Sequence, residues 1–236
     1  MSKEEASNLD IDFEKEIDAE TAWRKRELIQ IKFDIKRIKN QQESLRISAK
    51  MYRLKAAYVM LYSHWEGCVK EMGLKYVEAI NSKRLSQSDV NDSLRAAFLA
   101  DSLKPLASLV SKDGFDISKF LDKYSEFQEK DFFVKASIVN TKANLGHDTL
   151  FKILQDLNVY DSSIRESLGG KFIKSSKNLL SMRNAVAHGN KEVVEEVNEA
   201  IDQYLEIHQE IVDAIDVIAD AFCDAWIYKK YLKTVG

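Results

Sequence analysis

Met51, Leu54, Tyr58, Leu61, Trp65, Cys68, Met72 and Tyr76 follow one another at steps of three and four residues, and no other feature of the chain narrows its fold so far. A stripe of that period and length belongs to one long helix with its apolar face against other helices. One proline and eight glycines in 236 residues leave few places for a helix to stop. The expected fold is therefore all-α, an antiparallel bundle of about four long helices.

Three further stretches supply the other members. Residues 11–39 carry Leu28, Ile31, Ile35 and Ile38 on one face, after a polar start (1–10) expected to fray. The stripe helix itself spans 44–82. A helix over 171–188 follows a Ser-rich link and Gly169–Gly170. The last, over 191–232, aligns Ile201, Tyr204, His208, Ile211, Ile215, Ile218, Phe222 and Ala225, with acids first and Lys229, Lys230 and Lys233 at its end, the order that suits a helix dipole. Between them, residues 83–165 read as an insertion of short helices within a single domain, 1–236. Helices are expected over 94–103, 117–127 and 148–157, with turns at Pro105 and at Asp113–Gly114. The β-branched and aromatic run 131–141 is an extended segment, a buried loop or half of a short hairpin. His147 is expected to be a cap or loop residue, and His208, on the stripe, a core or interface histidine.

Composition excludes several classes. Cys68 and Cys223 fall in helical patterns and read as buried thiols, not as a disulfide framework or a ligand pair. No apolar run approaches the length of a membrane span, and the first twenty residues lack a basic start and apolar core, so a soluble cytoplasmic protein with no membrane partner is expected. There is no Gly-rich phosphate loop, no HExxH and no Cys/His cluster, so neither a metal nor another cofactor is expected. The net charge of −3 hides a strong asymmetry: residues 24–55 hold eleven Lys or Arg against three acids, and residues 191–224 hold eleven acids against Lys191 alone. Either the two stretches attract each other, or the basic one steers a phosphate backbone.

The chemistry concentrates in LLSMRNAVAHGN, residues 179–190. Arg183 and Asn184 are adjacent, His188 lies five residues beyond the arginine, and Gly189 is where the helix should end. A permanent guanidinium, an amide and an imidazole suit work on a phosphate. On a straight helix, residues five apart point roughly 140° away from each other. Arg183 and His188 of one chain therefore meet on one phosphate only if the helix is distorted, or if a second copy across a two-fold axis completes the site. The plainer alternative is that the trio knits a helix end to its neighbour.

This hexad resembles the Arg-x4–6-His motif of the HEPN superfamily (higher eukaryotes and prokaryotes nucleotide-binding domains). Together with AWRKREL (22–28), AAYVMLYSHWEGCVK (56–70) and NTKANLGHDTLFKIL (140–154), in this order, it is similar to the prokaryotic MAE-type HEPN branch, over roughly residues 20–230. The resemblance implies a metal-independent endoribonuclease of a defence or toxin–antitoxin type system, with RNA as substrate and the site shared across a homodimer. Arg183, Asn184 and His188 would be catalytic. His64 and Glu66 are read as a structural pair at the core edge or as a support for the site. Arg24 and Arg26 beside Trp23, and Lys174 and Lys177, are candidate RNA contacts, against a packing Trp23 with solvated basic neighbours. Some HEPN toxins carry a tyrosine two residues after the histidine, which their antitoxin modifies. Asn190 stands there, so restraint by a separate antitoxin or defence partner, or by assembly, is the expectation. The competing readings are a non-catalytic HEPN-type module that dimerises and binds RNA, nucleotide or protein, and a purely structural coiled coil.

Overall fold

In the computed structural model the elements run in the order α1 (Lys3–Asn40), α2 (Ile47–Ser82), α3 (Asp92–Ala107), a hairpin of β1 (Val110–Ser111) and β2 (Gly114–Phe115), α4 (Ile117–Gln128), a 3-10 turn (Ala136–Ile138), α5 (His147–Asp156), α6 (Ser162–Ala187) and α7 (Val197–Ile227). The structure describes residues 3–40, 47–107, 110–111, 114–115, 117–128, 131–189 and 196–234, and side chains over a slightly smaller set. Among the described residues the fold is all-α apart from that hairpin of two-residue strands.

The four long helices form the bundle. α2 and α7 pack on each other, and each also packs on α1 and on α6, which places α1 and α6 on opposite sides of the pair. Every residue of the α2 stripe except its first, Met51, is buried, and Trp65, Tyr58, Tyr76, Tyr204, Phe172, Phe222 and Trp226 are sealed in the core. Their rings interlock: Trp65 meets Phe172 edge-on, Tyr58 meets Tyr204, and at one end Phe13, Tyr76, Phe222 and Trp226 form a cluster in which Phe13 and Trp226 centroids are 5.0 Å apart. Such pairs add ~1 kcal/mol each beyond burial.

The charge asymmetry finds its main outlet between α1 and α7. Lys25 Nζ reaches both Asp216 oxygens at 2.6 and 2.7 Å, Lys32 Nζ reaches Gln209 Oε1 at 2.6 Å, and Lys39 Nζ reaches Asp202 Oδ1 at 2.5 Å. The rungs recur every seventh residue on both antiparallel helices, the spacing at which one helix face meets one neighbour. The attraction between basic and acidic stretches is thus real for Lys25 and Lys39, while Arg26, Lys36, Arg37 and Arg53 remain exposed.

Several expected boundaries move. α1 is helical from Lys3 onward instead of frayed to residue 10: its first residues, Lys-Glu-Glu-Ala, are good helix formers, and the helix leads directly into Phe13 and Ile17, buried against the bundle. Pro105 lies within the last turns of α3 instead of in a turn after it, and Asp113 is outside the described residues. The Ser-rich link is itself helix: Asp161 caps it, accepting from Ser163 N (3.0 Å) and Ile164 N (3.3 Å). The Ser163 hydroxyl, which also donates to this carboxylate, then Lys230 and the Ile164 N–H hold the Asp161 carboxyl down at about 2. α6 then bends at Gly169, whose φ of +66° and ψ of 178° are open to glycine alone. α7 stops at Ile227, and its tail turns back so that Lys230 O accepts from both Asn91 and Asn158 side chains at 2.7 Å. Residues 191–195, expected at the start of the last helix, and Asn190 lie outside the described residues. Run 131–141 is a largely exposed loop with one 3-10 turn, not a buried one, and it is seated through Phe132, Val134 and Val139.

His208 is the core histidine the stripe suggested. Its Nε2 donates to the Leu28 carbonyl at 2.8 Å, and Nδ1 has no partner among the described residues. Burial lowers its pKa, as do Lys32 and Lys36, against the Leu28 bond and Asp213, which raise it. An unfolded imidazole takes a proton near 6.5 and the folded one only lower, so its stabilisation is complete above 6.5 and disappears as the pH falls through the folded value. The melting temperature should therefore drop from pH 7 to pH 5, and drop less in His208→Gln. Parallel drops in the two proteins would show that another group carries the effect. His64, also lowered by burial, acts in the same direction.

Candidate active site

Leu179 is buried in the bundle and anchors the C-terminal turns of α6, so that Arg183 emerges over α2. Its guanidinium carbon stands 4.9 Å from the centroid of the Tyr62 ring, and Nη1 donates to Asn184 Oδ1 at 2.8 Å. Asn184 thereby steadies the arginine, and its carbonyl accepts the His188 N–H at 3.0 Å. His188 is the exposed C-cap, and Gly189, at φ +68°, ends the helix in the left-handed conformation that closes it.

The helix is not distorted between Arg183 and His188. Gly169 is the only residue inside α6 with non-helical dihedrals, so the segment from Arg183 to Ala187 is regular. Arg183 and His188 keep their separation of roughly 140° about the axis. By the same geometry the exposed Lys174 and Lys177 fall within about 60° of His188 and on the side of α6 away from Arg183. The lysines thus extend the histidine's face and not the arginine's.

Tyr62 is the site residue that the sequence did not single out. It is 2% exposed, and its hydroxyl accepts the Leu145 N–H at 2.6 Å. Glu66, one turn on, sets a carboxylate charge near that hydroxyl. Burial first, then Glu66, pushes the phenol up to about 12, against the Leu145 bond and Arg183.

The supposed pairing of His64 with Glu66 is not made, since residues two apart on a helix face different sides. His64 Nε2 instead meets Glu27 Oε2 at 3.1 Å, under the edge of the Trp23 ring, so it faces α1 while Glu66 faces the Arg183 side. Arg24 also departs from expectation. It is buried, bonded to Glu20 at 2.6 Å, stacked on Trp23 at 4.4 Å, and lies so close over Gly67 that a Cβ there would be 2.7 Å from Nη1. A guanidinium so enclosed is a packing element and not a phosphate contact. Trp23, at 37% exposed, is the lid of this arrangement and not its buried anchor. Arg26 is exposed.

No group of three or more His, Cys, Asp or Glu converges among the described residues. Cys68 and Cys223 are free, and burial pushes both thiols up to about 12, leaving them unreactive. His147 opens α5, beside Asp148 and edge-on to Phe151. A groove of 980 Å³ opens between α1 and α2, lined among others by Glu27, Ile31, Asp34, Arg53 and Met60, apart from the Arg183 cluster. No described helix is long and apolar enough to cross a membrane.

The model of the HEPN_MAE_28990-like HEPN family matches residues 13–231. The chain belongs to this HEPN family. No curated protein and no solved structure matches it. Membership places the chain among helical modules of nuclease-like or RNA-binding type. The four stretches that carry the HEPN resemblance are also joined in space, on residues 62–67 of α2: Trp23 and Arg24 cover His64 and Gly67, Leu145 bonds Tyr62, and Arg183 rests on the Tyr62 ring.

Proposed function

We propose that this HEPN chain is a metal-independent endoribonuclease whose site is completed by a second copy of the chain. The observation that supports it is the arginine fork held in place on Tyr62 and Asn184, with the exposed His188 about 140° away around a regular helix. A two-fold partner would bring its own His188 to this Arg183. The ribose 2′-oxygen attacks phosphorus, forming a 2′-O–P bond, and the bond to the 5′-oxygen breaks. His188 takes the 2′-OH proton or delivers one to the departing oxygen. Arg183 binds the phosphate and offsets the charge that develops on it. Asn184 acts by fixing the fork. Lys174, Lys177 and Arg26 are exposed cations available to the RNA backbone, and Glu66 supports the site through Tyr62. Within a cell, a cytoplasmic role in defence or in a toxin–antitoxin pair, restrained by a partner protein or by assembly, fits such an activity.

Purified protein in EDTA should cut single-stranded RNA and leave 2′,3′-cyclic phosphate and 5′-OH ends, while the same sequence with 2′-deoxy sugars stays intact. Cleavage of both, or RNA ends bearing a 5′-phosphate, would overturn the 2′-OH mechanism. Binding of RNA without cleavage would favour the non-catalytic HEPN-type module.

A further inference from the structure

Three ties join α2 to the segment that returns from the inserted short helices. The Asn81 side chain donates to Val134 O and accepts from Val134 N, both at 2.9 Å. At Gly73 the missing Cβ makes room for Val139, whose methyls would lie 2.9 and 3.0 Å from it. At Tyr62 the hydroxyl accepts from Leu145 N, and Leu145 is fully buried. Asn81, Gly73 and Tyr62 descend α2 as Val134, Val139 and Leu145 ascend the segment, so it lies antiparallel along the helix like a strap. Its last tie is the ring under Arg183. Gly146 then faces α6 itself, where an added Cβ would lie 3.5 Å from Leu180 Cδ2.

The geometry points to Tyr62 as the positioning residue for Arg183, set in turn by residues 131–146 through the Leu145 bond. For its kinetic consequence this rests on the nuclease reading. A guanidinium over an aromatic face is held in the plane of its fork, which is the plane in which it grips a phosphate. The ring keeps that face in place only while its own hydroxyl is anchored, and the Leu145 N–H is the anchor. The inserted region thereby gains a mechanical route to the site through a backbone N–H.

Tyr62→Leu removes the ring, Tyr62→Phe keeps it and removes the anchor, and Gly73→Ala presses on the strap about 16 Å up the helix. The first readout is the Arg183 side-chain Nε–Hε resonance, identified by its absence in Arg183→Ala and displaced by the ring current in wild type. It should move to the position of a free arginine in Tyr62→Leu, and part of the way in Tyr62→Phe and Gly73→Ala. The second is cleavage of a single-stranded RNA, where Tyr62→Leu should lose about tenfold in kcat with KM changed by less than about threefold. A wild-type resonance position in Tyr62→Leu, or a moved resonance with wild-type kcat, would overturn the role of Tyr62. An unmoved resonance in both Tyr62→Phe and Gly73→Ala would overturn the role of the strap. If wild type cuts no RNA, the nuclease reading falls, while the resonance still decides whether Tyr62 holds Arg183. Should Tyr62→Leu fail to fold, Tyr62→Phe and Gly73→Ala decide by the same resonance.

Discussion

Alanine at His188 should lower RNA cleavage by about 10² to 10⁴-fold, the range that a positioned proton donor or acceptor contributes. The loss should fall on kcat, since the imidazole does its work in the transition state and exposed lysines remain to bind the backbone. Folding should be untouched: His188 is an exposed cap, and what closes the helix there is its backbone N–H to Asn184 together with Gly189. Arg183→Ala should cost about 10² to 10³-fold, as expected for a single group that stabilises the developing charge. Arg183→Lys should rescue only part of this, because an ammonium cannot both lie flat on Tyr62 and offer a fork to two phosphate oxygens. Rates with matched circular dichroism and melting temperature check both. Wild-type rates in His188→Ala would remove the histidine from the mechanism.

The second large effect is a recovery. Arg183→Ala and His188→Ala, each inactive alone, should regain activity when mixed under conditions that let subunits exchange. Half of randomly re-formed dimers are mixed, and in each of these one of the two composite sites has both its arginine and its histidine. The mixture should therefore approach about a quarter of the wild-type rate. The prediction follows from a regular α6 that holds the two side chains apart on one chain. If labelled subunits are seen to exchange and no activity returns, the site is not shared in this way. A mass corresponding to a single chain at micromolar concentration would weigh against it equally.

The stripes of α1, α2 and α7 could be read directly because burial against a neighbour imposes the period of the helix, whichever neighbour it is. Identifying the neighbour is another matter. His64 was matched with Glu66, the acid next to it in sequence, whereas its partner, Glu27, is on a different helix. Arg24 sat in a run of cations that looks solvated, and the clue to its burial was Gly67, a glycine in mid-helix that costs stability unless something needs the space. Tyr62 lay inside a recognised stretch without a role, since both of its defining contacts are long-range. The motif itself, Arg183, Asn184 and His188, was visible because it is local. The bend at Gly169 and the helix beyond Asp161 were obscured by serines, which suit a cap as well as a link.

Because the rungs between α1 and α7 repeat every seventh residue, a slide of α1 by two turns, about 10 Å, would bring Lys25 to Gln209 and Lys32 to Asp202 and rebuild two rungs out of three. Charge selects α7 as the neighbour, then, but says little about its register. What a slide would forfeit is Phe13 against Trp226 and the Leu28 carbonyl that His208 requires. That ring contact near an end and that polar bond in the interior, together with the seat of Arg24 over Gly67 on α2, keep the two helices from creeping past each other. High salt should accordingly loosen their grip without shifting their alignment.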